Sequence, residues 1–365
     1  MASAFESALA AFGGRAKPGD RASAGRAKPA VVHKTLFFPS HMQHCSGDAV
    51  HTLVLMTPYL FGQSAWLDLE LEGNQNSMQD GVLHTRTFIV FLTAAYSSSW
   101  FCALELFTAL TCADEAKDMV LVLETDPARD AVPNVAQAMD ALAAFLNFNA
   151  GLSRKGKDEQ GYNSFAATFP AGHARSTPFT ARELLNRFRT RVDFKRDDPV
   201  ATLREIFTGQ AGVVESPLPA FLSSPPTVLI ACNRAEALDQ AHLIACILLR
   251  ECNIHAAACT SLDDQQQGLP VILFCTAHTF KDPVVEAALL REHKSLVIVH
   301  EADGRRLGGL DGNEAAFWEA ILADVGDATL RQTLSIRAPG SLAFSQRERH
   351  VMYSRAFAHE LVAAA

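Results

Sequence analysis

The sequence lacks any apolar run near the roughly 18 residues that a membrane-crossing helix requires. Its best stretch, Phe88 to Ala95, is broken by Thr93. A membrane-spanning helix is thereby excluded. It also lacks positive charge: 32 Lys and Arg stand against 40 Asp and Glu, a net −8. A dedicated nucleic-acid binder, which neutralises many phosphates, does not fit that balance. No G-x-x-x-x-G-K-[ST], no G-x-G-x-x-G after a strand and no H-E-x-x-H occurs, so P-loop hydrolysis and zinc proteolysis have no support. None of the eight cysteines forms a CxxC pair. Cys232, Cys246, Cys252, Cys259 and Cys275 fall in apolar segments, as small buried hydrophobes do in a reducing compartment. Cys45 and Cys102 stand in more polar surroundings. A cytoplasmic location is the expectation.

What is present is a chain of 365 residues, 48% apolar and 20% charged. Length alone suggests two globular domains. Residues 1–33 stand apart: Arg15, Lys17, Arg21, Arg26 and Lys28 face only Glu6 and Asp20, and Arg-Ala-Lys-Pro occurs twice. With no apolar periodicity, this segment reads as a disordered basic tail, with an organelle transit peptide as the sharper alternative.

From residue 34 the pattern alternates strand and helix. Strands are expected at Thr35–Phe38, Ser64–Asp68, Thr87–Leu92, Met119–Leu123 and Arg191–Phe194. Runs such as Met119–Leu123 show no polar alternation, the mark of parallel strands covered on both faces. Helices are expected at Asp48–Phe61, from Cys102, at 134–148, at Arg182–Arg189 after the capping pair Thr180 and Glu183, and after Asp198-Pro199. The expectation is a doubly wound parallel five-strand sheet over 34–210. Residues 151–178 read as a loop and 211–226, with four prolines, as a linker. A second, smaller α/β domain (227–365) repeats the order, with strands at Thr227–Cys232, Ile254–Ala258, Val271–Phe274 and Ser295–Val299 and helices at Glu236–Arg250 and Asp282–His293. Duplication is suggested by Asp48 and Asp239, each 18 residues before its second strand's Trp66 or Ala257. It is also suggested by third strands ending Leu92-Thr93-Ala94 and Cys275-Thr276-Ala277.

The most informative stretch is Tyr96-Ser-Ser-Ser-Trp-Phe-Cys-Ala-Leu-Glu-Leu106. It leaves the carboxyl end of a central strand, where open α/β sheets place their ligands. Glu105 is the only charge between Arg86 and Asp114. A lone carboxylate beside Trp100 and Phe101 either faces a desolvated cleft or simply complements the helix dipole in solvent.

This stretch resembles the third conserved box of Toll/interleukin receptor (TIR) domains, Tyr-x-Ser-Ser-x-Trp-Cys-x-x-Glu-Leu. Tyr96, Ser98, Ser99, Cys102, Glu105 and Leu106 match, while Phe101 takes the tryptophan position. Trp66-Leu67-Asp68 looks like the family's second-strand ending. Leu69, Glu70, Leu71, Glu72, Gly73 and Asn74 occupy the place of its interaction (BB) loop. Phe38-Pro39-Ser40-His41 looks like the first box, Phe-Leu-Ser-His. The resemblance covers roughly residues 33–208 and implies a flavodoxin-like fold.

It also implies one of two functions in signalling or defence. In enzymatic members the glutamate matching Glu105 is catalytic, cleaving NAD to nicotinamide and ADP-ribose or a cyclic product. NAD is then substrate, and no cofactor is needed. Phe38, Ser40, His41, Asp68, Ser99, Trp100 and Phe101 are the substrate-binding candidates. In non-enzymatic members the domain is an adaptor joining other TIR domains or itself, with Leu69–Asn74 as the contact. The second half reads as a degenerate copy, with Glu286 expected on an exposed helix face. A metal site at His41, His44 and Cys45 lacks further ligands. The basic cluster Arg182, Arg187, Arg189, Arg191, Lys195 and Arg196 reads as a solvated helix face.

Overall fold

A computed structural model describes residues 35–66, 75–111, 117–150, 177–216, 225–259, 268–291, 295–304, 309–310, 312–344 and 351–364; the side chains of residues 44, 75–77, 150 and 351–353 are outside that description. All of these belong to one compact unit, His33–Ala365, that contains two sheets. In chain order the first half runs β1 (Thr35–His41), α1 (Gln43–Phe61), α2 (Gln75–His84), β2 (Thr85–Leu92), α3 (Trp100–Thr111) and β3 (Asp118–Leu123). It continues through α4 (Val135–Ala150), α5 (Ala181–Arg187), β4 (Thr190–Asp193) and α6 (Pro199–Phe207). The second half runs β5 (Val228–Cys232), α7 (Arg234–Cys252), β6 (Ala256–Ala258), β7 (Val271–Cys275) and α8 (Pro283–Leu289). It ends with β8 (Leu296–Glu301), α9 (Glu314–Ala323), α10 (Ala328–Arg337), β9 (Leu342–Phe344) and α11 (Val351–Ala364).

The protein is α/β, with two parallel sheets ordered β1-β2-β3-β4 and β6-β5-β7-β8-β9. The expected fifth strand of the first sheet is not assigned among the described residues. Ser64–Trp66 nonetheless runs along the outer edge of β1, with Leu36 N donating to Ser64 O (2.8 Å) and Trp66 N to Phe37 O (2.9 Å). Two bonds are too few to make a ladder. With that segment in place the order matches the second sheet's, and it is the order of flavodoxin-like folds.

Side-chain alternation explains why the helices divide between faces. Phe88, Val90 and Leu92 of β2, with Met119, Leu121 and Leu123 of β3, enter one core with α2, α3, α4 and α5. Ile89 and Phe91, with Val120 and Val122, enter the other core with α1 and α6. Period-two strands buried on both faces need a helix layer on each. In the second half α8, α9 and α10 cover one face and α7 and α11 the other.

Several helices start where their caps dictate. Thr180 Oγ1 accepts from Glu183 N (3.2 Å), and Asp198 and Asn233 open α6 and α7 in the same way. The helix expected at Asp282–His293 stops at Leu289. The two halves meet along α1 and α7, both of 19 residues. Leu55 of α1 packs on the second half's core. Tyr59 lies beside Cys246, Arg250 and Glu251, and burial pushes its phenol up. Among the described residues no helix is long and apolar enough to cross a membrane. The expected tail (1–33) and the loop residues 151–176 lie outside the described residues.

Candidate functional site

In each sheet the chain changes face between neighbouring strands. After β1 it goes to α1 on one side, and after β2 to α2's neighbour α3 on the other. Such a switch point leaves a crevice at the carboxyl ends of the two strands, and ligands of open α/β sheets bind there. Ser40 and His41 end β1, and the segment after β2 leads through a 3-10 turn, Tyr96–Ser98, into α3.

Glu105 is the sixth residue of α3, and only 7% of it is exposed. It is therefore not solvated in the first helical turn, as the dipole-only reading requires. Ser40 Oγ donates to Glu105 Oε2 at 2.6 Å and stands 2.6 Å from Tyr96 Oη. A serine hydroxyl has one proton, so Tyr96 donates to Ser40 while Ser40 donates to the carboxylate. The Cys102 carbonyl, 3.3 Å from Tyr96 Oη, is a second, weaker acceptor for the tyrosine proton. Burial above all, then the Cys102 thiol and Glu105, raises the Tyr96 phenol well above its ordinary range. It stays a neutral donor.

The neighbouring groups are ordered by backbone contacts. His41 Nδ1 donates to Pro39 O (2.9 Å), which leaves the ring's other nitrogen as the acceptor of the neutral form. Among the described residues, the buried His41 Nε2 has no hydrogen-bond partner. Cys102 Sγ donates to His41 O (3.3 Å), and Cys102 is buried rather than polar in setting. Ser99 Oγ accepts from Cys102 N (3.3 Å), which makes it a helix cap.

Other candidates divide. Phe38 is fully buried, stacked on Trp66 (4.2 Å) and Phe88 (5.7 Å), so it is core and offers no face to a ligand. Gly81 permits that stack, because a Cβ there would lie 2.5 Å from the Trp66 ring. Trp100 is buried too. Phe101, edge-on to it at 5.2 Å, is only half-buried. Asp68 and the loop Leu69–Asn74 lie outside the described residues, as does the His44 side chain. Among the described residues no group of three His, Cys, Asp or Glu is placed to hold a metal.

Sequence reasoning missed the loop after β3. Asp130, in the left-handed region at φ 66°, accepts from Ala94 N through its carbonyl (2.8 Å) and from Ala95 N through Oδ2 (2.9 Å). Cys45 Sγ also donates to its Oδ2 (3.5 Å). Asp130 thus ties the serine-rich turn to the start of α1. Its neighbour Arg129 reaches into the second half, donating to the Glu236 carbonyl and lying 4.0 Å from Asp239. Arg196, expected in a solvated basic face, is instead largely covered and held between the buried Glu124 and Asp239, with Asp126 at 3.6 Å. Burial raises the Glu124 carboxyl, and the arginine opposes that rise. The only hint in the sequence was that these carboxylates end apolar strands or sit in an apolar helix.

In the second half, Asn233 Nδ2 donates to His278 O (2.6 Å), and His278 Nδ1 pairs with Glu236 Oε1 (2.6 Å). Glu286 is not on an exposed face: its Oε1 accepts from Asp327 N (2.6 Å) at the start of α10. Comparison with models of known protein families and with curated proteins finds no match.

Proposed function

We propose that the first half is a NAD glycohydrolase in which Glu105 is the catalytic carboxylate, as the resemblance of Tyr96–Leu106 to TIR domains implies. The observation that supports the reading is the placing of Glu105, buried at the switch point and hydrogen-bonded to the end of β1. The chemistry suits so sparse a site. The bond between the ribose carbon and the pyridinium nitrogen breaks with its electron pair leaving on nicotinamide, which departs neutral and needs no general acid. Water then adds to that carbon and loses a proton, giving ADP-ribose; an adenine nitrogen adding instead gives a cyclic product. A carboxylate offsets the charge of the oxocarbenium-like transition state and holds ribose hydroxyls. In this reading the half-buried Phe101 is the aromatic side chain that would stack on the nicotinamide and exclude water.

The test is nicotinamide release by the full chain and by Glu105→Gln, at concentrations that allow self-association. Release by the first and loss in the second is expected. Equal rates, or none from either, would end the enzyme reading.

One observation favours an assembly role as the second reading. Helices α1 and α7 already join two α/β halves within the chain, so the fold accommodates contacts between like domains. An adaptor of that kind associates with itself or a TIR domain equally well after Glu105→Gln.

A further inference from the structure

We propose that Ser40 and Tyr96 are positioning residues that aim the Glu105 carboxylate from β1, and that Ser40 does not contact substrate. This rests on the hydrolase reading above. A glutamate has three side-chain torsions, so a helix position alone does not fix where its charge lies. Here the direction is fixed across the crevice: Ser40 donates to Oε2 from the strand at 2.6 Å, and Tyr96 donates to Ser40 at the same distance. Both donors are wholly buried and so present one geometry. Ser40 has spent its only proton on the carboxylate and one lone pair on the tyrosine, which leaves little capacity for a ligand. Second-layer donors of this kind orient a reacting group and favour its charged form.

The experiment compares the full chain with Ser40→Ala, Tyr96→Phe and Glu105→Gln in two readouts. The first is steady-state nicotinamide release. The second is NMR titration of glutamate side-chain carboxyls, with Glu105 assigned by its absence in Glu105→Gln. Ser40→Ala is expected to lower kcat about tenfold to a hundredfold, the scale of a hydrogen bond to a charged group. KM should change less than about threefold, because uniform binding is untouched. The Glu105 midpoint should rise, since a donor to the charged form is gone. Tyr96→Phe should move both readouts the same way and less far. A change confined to KM would make Ser40 a substrate contact and overturn the proposal, as would an unmoved Glu105 midpoint. If the unaltered chain releases no nicotinamide, the hydrolase reading fails, while the titration still decides the positioning. Should thermal melting show Ser40→Ala unfolded, Tyr96→Phe, which loses one oxygen from a buried ring, carries the test.

Discussion

The two switch-point crevices are built on the same strand order and yet are wired differently. In the first, polar side chains bond to one another: Tyr96 to Ser40, and Ser40 to Glu105. In the second, Thr279 Oγ1 accepts from Thr276 N (2.6 Å) and Asn233 holds the His278 carbonyl, and the side-chain pair there is His278 with Glu236 rather than a chain leading to the helix carboxylate. The carboxylates part for a simple reason. Helix α3 begins at Trp100, seven residues after Thr93 (100 − 93), and α8 begins at Pro283, seven after Thr276 (283 − 276). Glu105 is the sixth residue of its helix and Glu286 the fourth of its own. Two residues turn a helix by about 200°, so Glu105 faces β1 and Glu286 faces away, towards Asp327. A like frame does not make a like site.

The contrast can be broken most sharply at the carboxylates themselves. Glu105→Gln should cost about a thousandfold in nicotinamide release, on the scale of losing a group that stabilises transition-state charge. Glu286→Gln should leave the rate at the level of the unaltered chain. A comparable loss in both would make the crevices equivalent.

The junction between the halves comes next in size. Arg196→Ala leaves Glu124 and Asp239 buried with one cation fewer, and removing one partner of a buried pair costs about 3–5 kcal/mol. The urea midpoint of the whole chain should fall accordingly, and a fall under about 1 kcal/mol would show a solvated pair.

Smaller effects separate the crevices again. Gly81→Ala forces Trp66 off Phe38 and should cost about 1–3 kcal/mol. A shift in tryptophan fluorescence, compared against Trp100→Phe and Trp318→Phe to separate the three emitters, checks it. Glu286→Ala removes the acceptor for Asp327 N and should cost about 1–2 kcal/mol in the same urea assay, without change in nicotinamide release.

Burial lowers the His242 pKa, with Asp239 opposing. A histidine lowered in the fold is protonated first in the unfolded chain, so stability is full above its ordinary value. It is lost as pH falls from about 6.5 towards the lowered one. Urea midpoints at pH 8 and 5.5 should differ, and His242→Gln should reduce the difference.

Much of the frame was legible because buried parallel strands advertise themselves. The runs in β2, β3, β5, β7 and β8 admit few other readings, and capping residues located α5 and α6. Ser64–Trp66 was less legible, since its strand character rests on two bonds to β1. The segments after residue 300, including α9, α10, β9 and α11, carry mixed patterns and were not anticipated. Of the candidate site, Glu105 stood out as the lone charge in an apolar stretch, but its donors did not. Ser40 lies 65 residues away, and nothing local says that its hydroxyl turns towards a helix rather than a ligand. Phe38 misled for a related reason: an aromatic at a strand end looks the same whether a ligand or Trp66 covers it.

Local chemistry along the chain determined which segments become strands and helices, and where several of those helices begin. Apolar periodicity and capping act within a few residues of each other, so they can be read in one dimension. Only the folded arrangement decided that Glu105 is gripped from β1, that Arg196 is shut between two carboxylates from different halves, and that Glu286 braces a helix. Each of these depends on which remote group fills a side chain's remaining hydrogen-bonding capacity, and that is set by how the elements pack in space.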